Sequence, residues 1–287
     1  MPSPSPNNFL VNGLGNPVDQ YRGPGFGEHV LGRNDDESTY AVDLSDIFPS
    51  GFKFFGQTYY SVYINNNGNV TFGNSLGEFI PTPIGSNTAL PIIAPYWMDI
   101  DTGLYPRPDG EFDTDTFDIG TPGNDTLHPG LGVISSGGNS QGTDLVYWDL
   151  DDGLRDGPPE RATFTVTWDD VGSFSEDDAH PNAFQLQIIQ NFDGTFDIVF
   201  RYEATQQATS ETNGPFEAAR AGYAPAGAGN GFEIAGSGVA TSMEWSDPFE
   251  VIHPLCWSED HFGWMERWQG STTSRKRSSA SCVRLMC

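Results

Sequence analysis

The run "AFQLQIIQNFDGTFDIVFRY", Ala183 to Tyr202, decides how this chain folds. Phe184, Leu186 and Ile188 alternate with Gln185 and Gln187, so an extended backbone sorts apolar side chains onto one face and amides onto the other. Asp193-Gly194 supplies a turn, and Phe196, Ile198, Phe200 and Tyr202 repeat the alternation on a returning strand. A helix would scatter these apolar residues around its axis. The run is predicted to be a β-hairpin closed by a two-residue type I′ turn at Asp193-Gly194.

The same period of two appears upstream. In "ATFTVTW", Phe164, Val166 and Trp168 face one way, and Thr163, Thr165 and Thr167 the other. "ALPIIAPYWMDI", Ala89–Ile100, is nearly continuous in apolar residues and reads as a buried strand broken at Pro91 and Pro95. "STYAVDL" (Ser38–Leu44) and "FKFFGQTYYSVYI" (Phe52–Ile64) read as further strands. Next comes "INNNGNVTFG", Ile64–Gly73, where Asn66-Asn67-Gly68-Asn69 is turn chemistry between two strands, because Asn and Gly tolerate positive φ. Asn66, Asn67 and Asn69 are assigned a register-fixing role at that hairpin tip, with direct ligand contact as the alternative. No window of eleven residues carries helical periodicity. The 34 glycines and 21 prolines among 287 residues are too many chain breakers for a helical protein. The fold class expected is mostly β: an antiparallel β-sandwich with long acidic loops and little helix.

Charge narrows the partners. Thirteen basic residues face 39 acidic ones, a net charge of −26, so the surface repels nucleic acid and anionic lipid. Such a surface suits high salt or divalent cations. No apolar run is long enough to span a membrane. The start, "MPSPSPNNFLVNGLG", lacks the pattern of a signal peptide, so any export signal is expected outside this chain. Residues 1–33 read as an irregular lead-in and 34–255 as the β domain. An acidic, glycine-rich insertion runs from Thr102 to Gly142. At Cys256 the character changes: residues 256–287 hold all three cysteines, three of the seven tryptophans and five basic residues against three acidic, and are expected to lie outside the fold.

Catalytic motifs are weak. Gly138-Asn139-Ser140-Gln141-Gly142 fits G-x-S-x-G by letters, but a nucleophile elbow needs a helix after it, and strand-like "TDLVYWDL" follows. No metalloprotease, phosphate-loop, dinucleotide or CxxC signature is present. The carboxylates are more suggestive. Asp99 and Asp101 lie two apart at a strand end, and Asp151 and Asp152 follow the next strand, so these four form a candidate Ca²⁺ site of hard oxygen ligands. The competing reading is a solvated acidic surface in a uniformly acidic chain. Paired carboxylates also leave a secreted hydrolase as the alternative function. Tyr96, Trp97, Tyr147, Trp148 and Trp168 lie on expected strands, as core or with outward rings able to stack on a sugar. Asn69-Val70-Thr71 and Asn124-Asp125-Thr126 fit the N-glycosylation triplet.

Five segments, in order, resemble the extracellular domain first described in nidogen, the NIDO domain. They are "GFKFFGQTYYSVYINNNGNVTFG", "IIAPYWMDIDT", "ATFTVTWDDVGSF", "NAFQLQIIQNFDGTFDIVFRY" and "ARAGYAPAGAGNGFEIAGSG", and the resemblance extends over about Asn34–Gly238. The insertion after Asp101 is longer than the family pattern, and no cysteine-rich modules follow. The resemblance implies extracellular or cell-surface placement and a non-enzymatic adhesion role toward a protein or glycan partner, with Ca²⁺ as the candidate cofactor. It also implies that the chain is not an enzyme. A third reading is a structural segment of a larger surface protein.

Overall fold

Three long strands carry the alternation read from the sequence: β9 (Thr163–Ser173), β10 (Asp177–Gln190) and β11 (Phe196–Thr205). The computed structural model that shows them describes residues 14, 26–86, 88–103, 134–135, 138–153, 161–174, 177–210, 217–227 and 229–243. With β1 (His29–Leu31) and β8 (Leu145–Asp151) they form a five-stranded antiparallel sheet in the order β1-β8-β9-β10-β11. A six-stranded antiparallel sheet has the order β13-β12-β7-β6-β5-β2. Its strands are β2 (Val42–Asp43), β5 (Ser61–Asn65), β6 (Asn69–Thr71), β7 (Ile92–Trp97), β12 (Arg220–Ala224) and β13 (Phe232–Glu233). A separate hairpin pairs β3 (Phe52–Phe54) with β4 (Gln57–Tyr59), and the one described helix, α1, is Ala240–Met243. The chain is a sandwich-like β protein.

One continuous core joins the inner faces of both sheets. Phe164, Val166, Trp168, Phe184, Leu186, Ile188, Phe196, Ile198, Phe200 and Tyr202 from the first meet Val62, Ile64, Val70, Ile93, Tyr96 and Tyr223 from the second. Phe184 stands between the sheets, stacked on Trp168 at 4.9 Å and tilted to Tyr96 at 5.4 Å. The β3–β4 hairpin closes one end: Phe52 packs against Phe72 at 5.4 Å and Phe196 at 5.0 Å. Each such buried ring contributes about 2–3 kcal/mol through the apolar surface it removes from water. The outer face of the first sheet is largely polar, with the Gln185 amide donating to Thr167 Oγ1 at 2.7 Å and Arg201 Nε to Gln187 Oε1 at 2.9 Å.

Local chemistry changes four expectations. The β10–β11 turn is a five-residue loop: Gln190 pairs with Phe196, Asn191 donates to the Thr195 carbonyl, and Gly194 alone has positive φ, +82°. The type I′ geometry occurs instead at Phe55-Gly56, φ +46° and +75°, between the paired Phe54 and Gln57. So Phe52–Ile64 is not one strand but β3, β4 and β5. Pro95 does not break its strand. The partner β12 shifts register between Arg220 and Gly222, so the missing N–H of Pro95 leaves no hole in the ladder, and the Pro95 carbonyl accepts from Tyr202 Oη at 2.6 Å. The 1–33 lead-in is partly built into the sheet, since His29–Leu31 form β1 against Val146–Trp148 and Leu14 and Phe26 are buried beside Tyr147. Residues 256–287, and most of the insertion, lie outside the described residues.

Candidate functional site

The asparagine hairpin is not an exposed tip. Asn65 pairs with Asn69 across the β5–β6 turn, and Asn65, Asn66, Asn67 and Asn69 are all buried. Gly68 has φ +75°, and a β-carbon on it would overlap the Tyr96 carbonyl oxygen. Asn66 directs its amide nitrogen at the carbonyls of Asn34, Asp35 and Ile100 (3.0, 2.7 and 2.7 Å), and its own carbonyl accepts from Trp168 Nε1 at 2.9 Å. Asn67 accepts from the Ile100 N–H at 2.8 Å and donates to Asp36 Oδ1 at 2.8 Å. Asn65 donates to Asn69 Oδ1 at 2.7 Å and accepts from Ser38 Oγ and the Leu76 N–H. These side chains supply partners for backbone that has left the β-ladder at 34–38 and 98–102. The hairpin is a buried tie between the two sheets and the segments that cross them. The Asn69 glycosylation triplet is therefore closed to a glycosyltransferase in the folded protein; Asn124 lies outside the described residues.

The segments tied down by Asn66 and Asn67 bring carboxylates together. One carboxylate oxygen from each of Asp35, Asp36 and Asp99 lies within 4.8 Å of the others. Burial, then the charges of Asp101, Asp36 and Asp99, push the Asp35 carboxyl up to about 7. Its Oδ1 is sealed from water without a hydrogen-bond partner. Asp99 accepts from Ser210 Oγ at 2.8 Å, and Asp101 from the Gly103 N–H at 2.8 Å. Of the four expected Ca²⁺ ligands, then, the structure keeps Asp99 and Asp101 in one neighbourhood and separates Asp151 and Asp152 from them. Asp151 pairs with Thr163 at one end of β9, whereas Ile100 bridges Ser173 at the other. Ten residues of strand at ~3.3 Å each put roughly 30 Å between the two pairs. Asp35 and Asp36 stand beside Asp99 instead, and the signal that could have found them is the adjacent pair in "RNDDES". The set fits a hard cation in ligand type, though three carboxylates are fewer than the roughly six to eight oxygens Ca²⁺ takes.

A second group of buried charges closes the neck of the insertion. Arg33 donates from Nη1 to the Thr102 carbonyl (3.1 Å), the Asp144 carbonyl (3.1 Å) and Asp144 Oδ2 (2.8 Å), and from Nη2 to the Thr143 carbonyl (2.8 Å). It thus grips Thr102 at the start of the insertion and Thr143 and Asp144 just past its end, and the Arg33–Asp144 pair is almost wholly buried. Five consecutive amides, of Asn139, Ser140, Gln141, Gly142 and Thr143, donate in turn to the carboxylates of Glu203, Glu203, Asp169, Asp170 and Asp169. Burial raises the Asp169 carboxyl to about 6 against these hydrogen bonds, and raises Asp170 as well. Ser140 sits in this loop with Oγ 2.9 Å from Ser135 Oγ, and β8 follows, so the arrangement is an anchored loop and not a strand-to-helix elbow. Arg33, Asp144 and Glu203 escaped the sequence reading. The flag was Arg33 itself, a rare cation in so acidic a chain.

The strand aromatics do not form a sugar platform. Tyr96, Trp148 and Trp168 lie in the main core. Trp97 and Tyr147 point outward, but each is covered by a smaller apolar cluster, Trp97 with Ile84 and Ala224, Tyr147 with Leu14 and Phe26. The exposed large apolar side chains among the described residues are Tyr40, Tyr60, Ile134, Phe192 and Val239.

Comparison with known proteins points to one family. The family described as Nidogen-like domain (NIDO) matches residues 60–251. Alpha-tectorin of Homo sapiens and that of Mus musculus are each 25% identical to the chain over 214 residues. That alignment covers 71% of this chain but only 9% of either alpha-tectorin, so the chain spans a small part of the relatives it matches. No solved structure matches.

Proposed function

The chain belongs to the nidogen-like domain family, and from that premise we infer that it is a non-enzymatic extracellular or cell-surface module of the cell–matrix adhesion type, binding a protein or glycan partner. The observation that carries this is the family match over residues 60–251, which takes in the hairpin tie and every strand of the two sheets except the edge strands β1 and β2. The geometry is consistent with it. Asp144, Asp169, Asp170 and Glu203 hold backbone amides, and Asp99 holds the Ser210 hydroxyl, which is what scaffold carboxylates do. Immobilised full chain, tested against a panel of matrix proteins and surface glycans, is expected to retain at least one of them; no binding at any salt or calcium concentration overturns the reading. The hydrolase alternative predicts glycan hydrolysis that is lost in Asp99→Asn.

Calcium belongs to the same reading, and the specific observation favouring it is the Asp35/Asp36/Asp99 convergence with the sealed Asp35 oxygen. Ca²⁺ there would neutralise like charges and stiffen the crossing of the two segments; Asp151 and Asp152 have no part in it. A ligand that binds the native state alone raises stability by RT ln(1 + [L]/Kd), about 2.7 kcal/mol at a hundredfold excess. Thermal unfolding at fixed ionic strength is expected to shift upward with Ca²⁺ and not with Mg²⁺, and Asp36→Asn to remove the shift. Equal curves in calcium and chelator return these carboxylates to a scaffold role.

A further inference from the structure

We propose that the β2 edge of the six-stranded sheet, marked by Tyr40 and Tyr60, is a docking surface for a basic segment of an extracellular protein partner. It rests on the extracellular-binding reading and names the partner's chemistry. Tyr40 and Tyr60 are 71% and 52% exposed, whereas Tyr96, Trp97 and Tyr223 on the inner strands β7 and β12 are buried and Tyr63 on β5 is half-buried. They flank the outermost strand of the sheet: β2 pairs with β5 through Val42–Val62 and Asp43–Ser61, and Leu44 donates to the Tyr60 carbonyl. In this antiparallel register Val42 and Leu44 turn their amides toward β5, so Ala41 and Asp43 turn theirs outward. Among the described residues no strand pairs with that outer side. An exposed sheet edge can take one more extended chain.

The surface around this edge selects the occupant. Glu37, Asp43 and Asp46 are all exposed along the same stretch, in a chain of net charge −26. Sulfated or otherwise anionic glycans are repelled, and a second copy of this chain brings the same charge. A basic segment is attracted, and its Arg or Lys groups can lie over tyrosine faces with carboxylates beside them. Tyr40 lies beside the Tyr63–Ile64 stretch of β5, three to four residues from Tyr60, because Thr39 donates to the Ile64 carbonyl. At ~3.3 Å per residue that spacing is roughly 10–13 Å. Basic side chains at i and i+4 of an extended peptide lie on one side at the same spacing.

The test uses the full chain and a fluorescein-labelled extended peptide with arginine at alternate positions, followed by anisotropy at 50 and 150 mM salt. Tyr40→Ala/Tyr60→Ala, which leaves the net charge unchanged, is expected to weaken binding at least tenfold with an unaltered melting temperature. Asp43→Asn/Asp46→Asn is expected to weaken it several-fold, and Asp193→Asn/Glu217→Gln, the same charge change elsewhere, to leave it as it was. No binding by the unaltered chain, or equal binding by the tyrosine variant, overturns the proposal and shows nonspecific charge attraction at most. Neutral glycan captured through Tyr40 and Tyr60 in place of the peptide also overturns it. A matrix protein retained on the panel above with undiminished affinity for the tyrosine variant removes this surface while leaving the adhesion reading intact; an empty panel removes both.

Discussion

At Gly68 the backbone has φ +75° and faces the Tyr96 carbonyl so closely that no β-carbon fits. Gly68→Ala is expected to destabilise by more than about 3 kcal/mol, since strain and displacement of a core strand act together. Asn66→Ala leaves the carbonyls of Asp35 and Ile100 without that amide donor in a buried place, at about 2–4 kcal/mol, while the Asn34 carbonyl still accepts from the Thr102 N–H and Oγ1. Urea unfolding measures both; an Asn66→Ala variant as stable as the parent would mean that the side chain serves something other than the tie. The acidic residues of the same region set the pH response. Asp35 and Asp169 have folded-state pKa values of about 7 and about 6 against an ordinary 3.8. Between pH 4 and 7 the native state therefore holds more protons than the unfolded one, and stability falls as pH rises through that window. Below it both states are protonated at these sites and the penalty is absent; above it the penalty is full. In chelator at fixed ionic strength, the melting temperature is expected to drop from pH 5 to pH 8, and Asp35→Asn to flatten the part above pH 6. A melting temperature that climbs over that range would contradict the burial of these two anions.

At the scale of elements, the insertion's neck is held by Arg33 as well as by the amides of residues 139–143. Arg33→Met takes the guanidinium away from buried Asp144, whose Oδ1 still accepts from the Gly172 N–H, and breaking such a pair costs about 3–5 kcal/mol. Because Asp144 has φ +51°, its relief should be Asp144→Asn, which tolerates that backbone. The double variant is expected to recover part of the loss in urea unfolding, and a simple sum of the two single effects would show that the pair is not coupled. These elements also show what could be read in advance. β9, β10 and β11 were legible because one face is core and the other largely polar, so period two holds from Thr163 to Trp168, from Phe184 to Ile188 and again at Phe196, Ile198, Phe200 and Tyr202. The Phe52–Ile64 run was not, because Phe52, Phe54, Phe55 and Tyr59 are apolar on both sides of a turn that only the local conformation of Phe55-Gly56 reveals. The neck was invisible for another reason. Its bonds join Arg33 to Thr102 and Asp144, and residues 139–143 to Asp169, Asp170 and Glu203, and nothing local in "GGNSQGTD" says that its amides will find carboxylates so distant in sequence. The candidate site was half legible: Asp99 and Asp101 could be read from a strand end, but their companions depended on which other segment the asparagines hold against them.

Over the whole molecule, burial and net charge pull in opposite directions. The core that joins the two sheets stabilises the sandwich, while 39 acidic residues against 13 basic ones, a net charge of −26, repel one another most strongly at low ionic strength. Screening shortens the reach of that repulsion from about 30 Å at 0.01 M salt to about 3 Å at 1 M. The buried Arg33–Asp144 pair is shielded from solvent and should respond little, so attraction lost to screening is small beside repulsion removed. The melting temperature is therefore expected to rise continuously between 0.01 and 1 M NaCl, by several degrees, and equally in KCl, because the effect is one of ionic strength and not of a particular monovalent ion. Calcium at matched ionic strength should exceed that baseline only through a site, and the Asp36→Asn variant separates the two contributions: it should keep the NaCl response and lose the calcium excess. A flat or falling NaCl curve would mean that the acidic surface is compensated by contacts stronger than its self-repulsion, and the salt-adapted reading of the composition would fail.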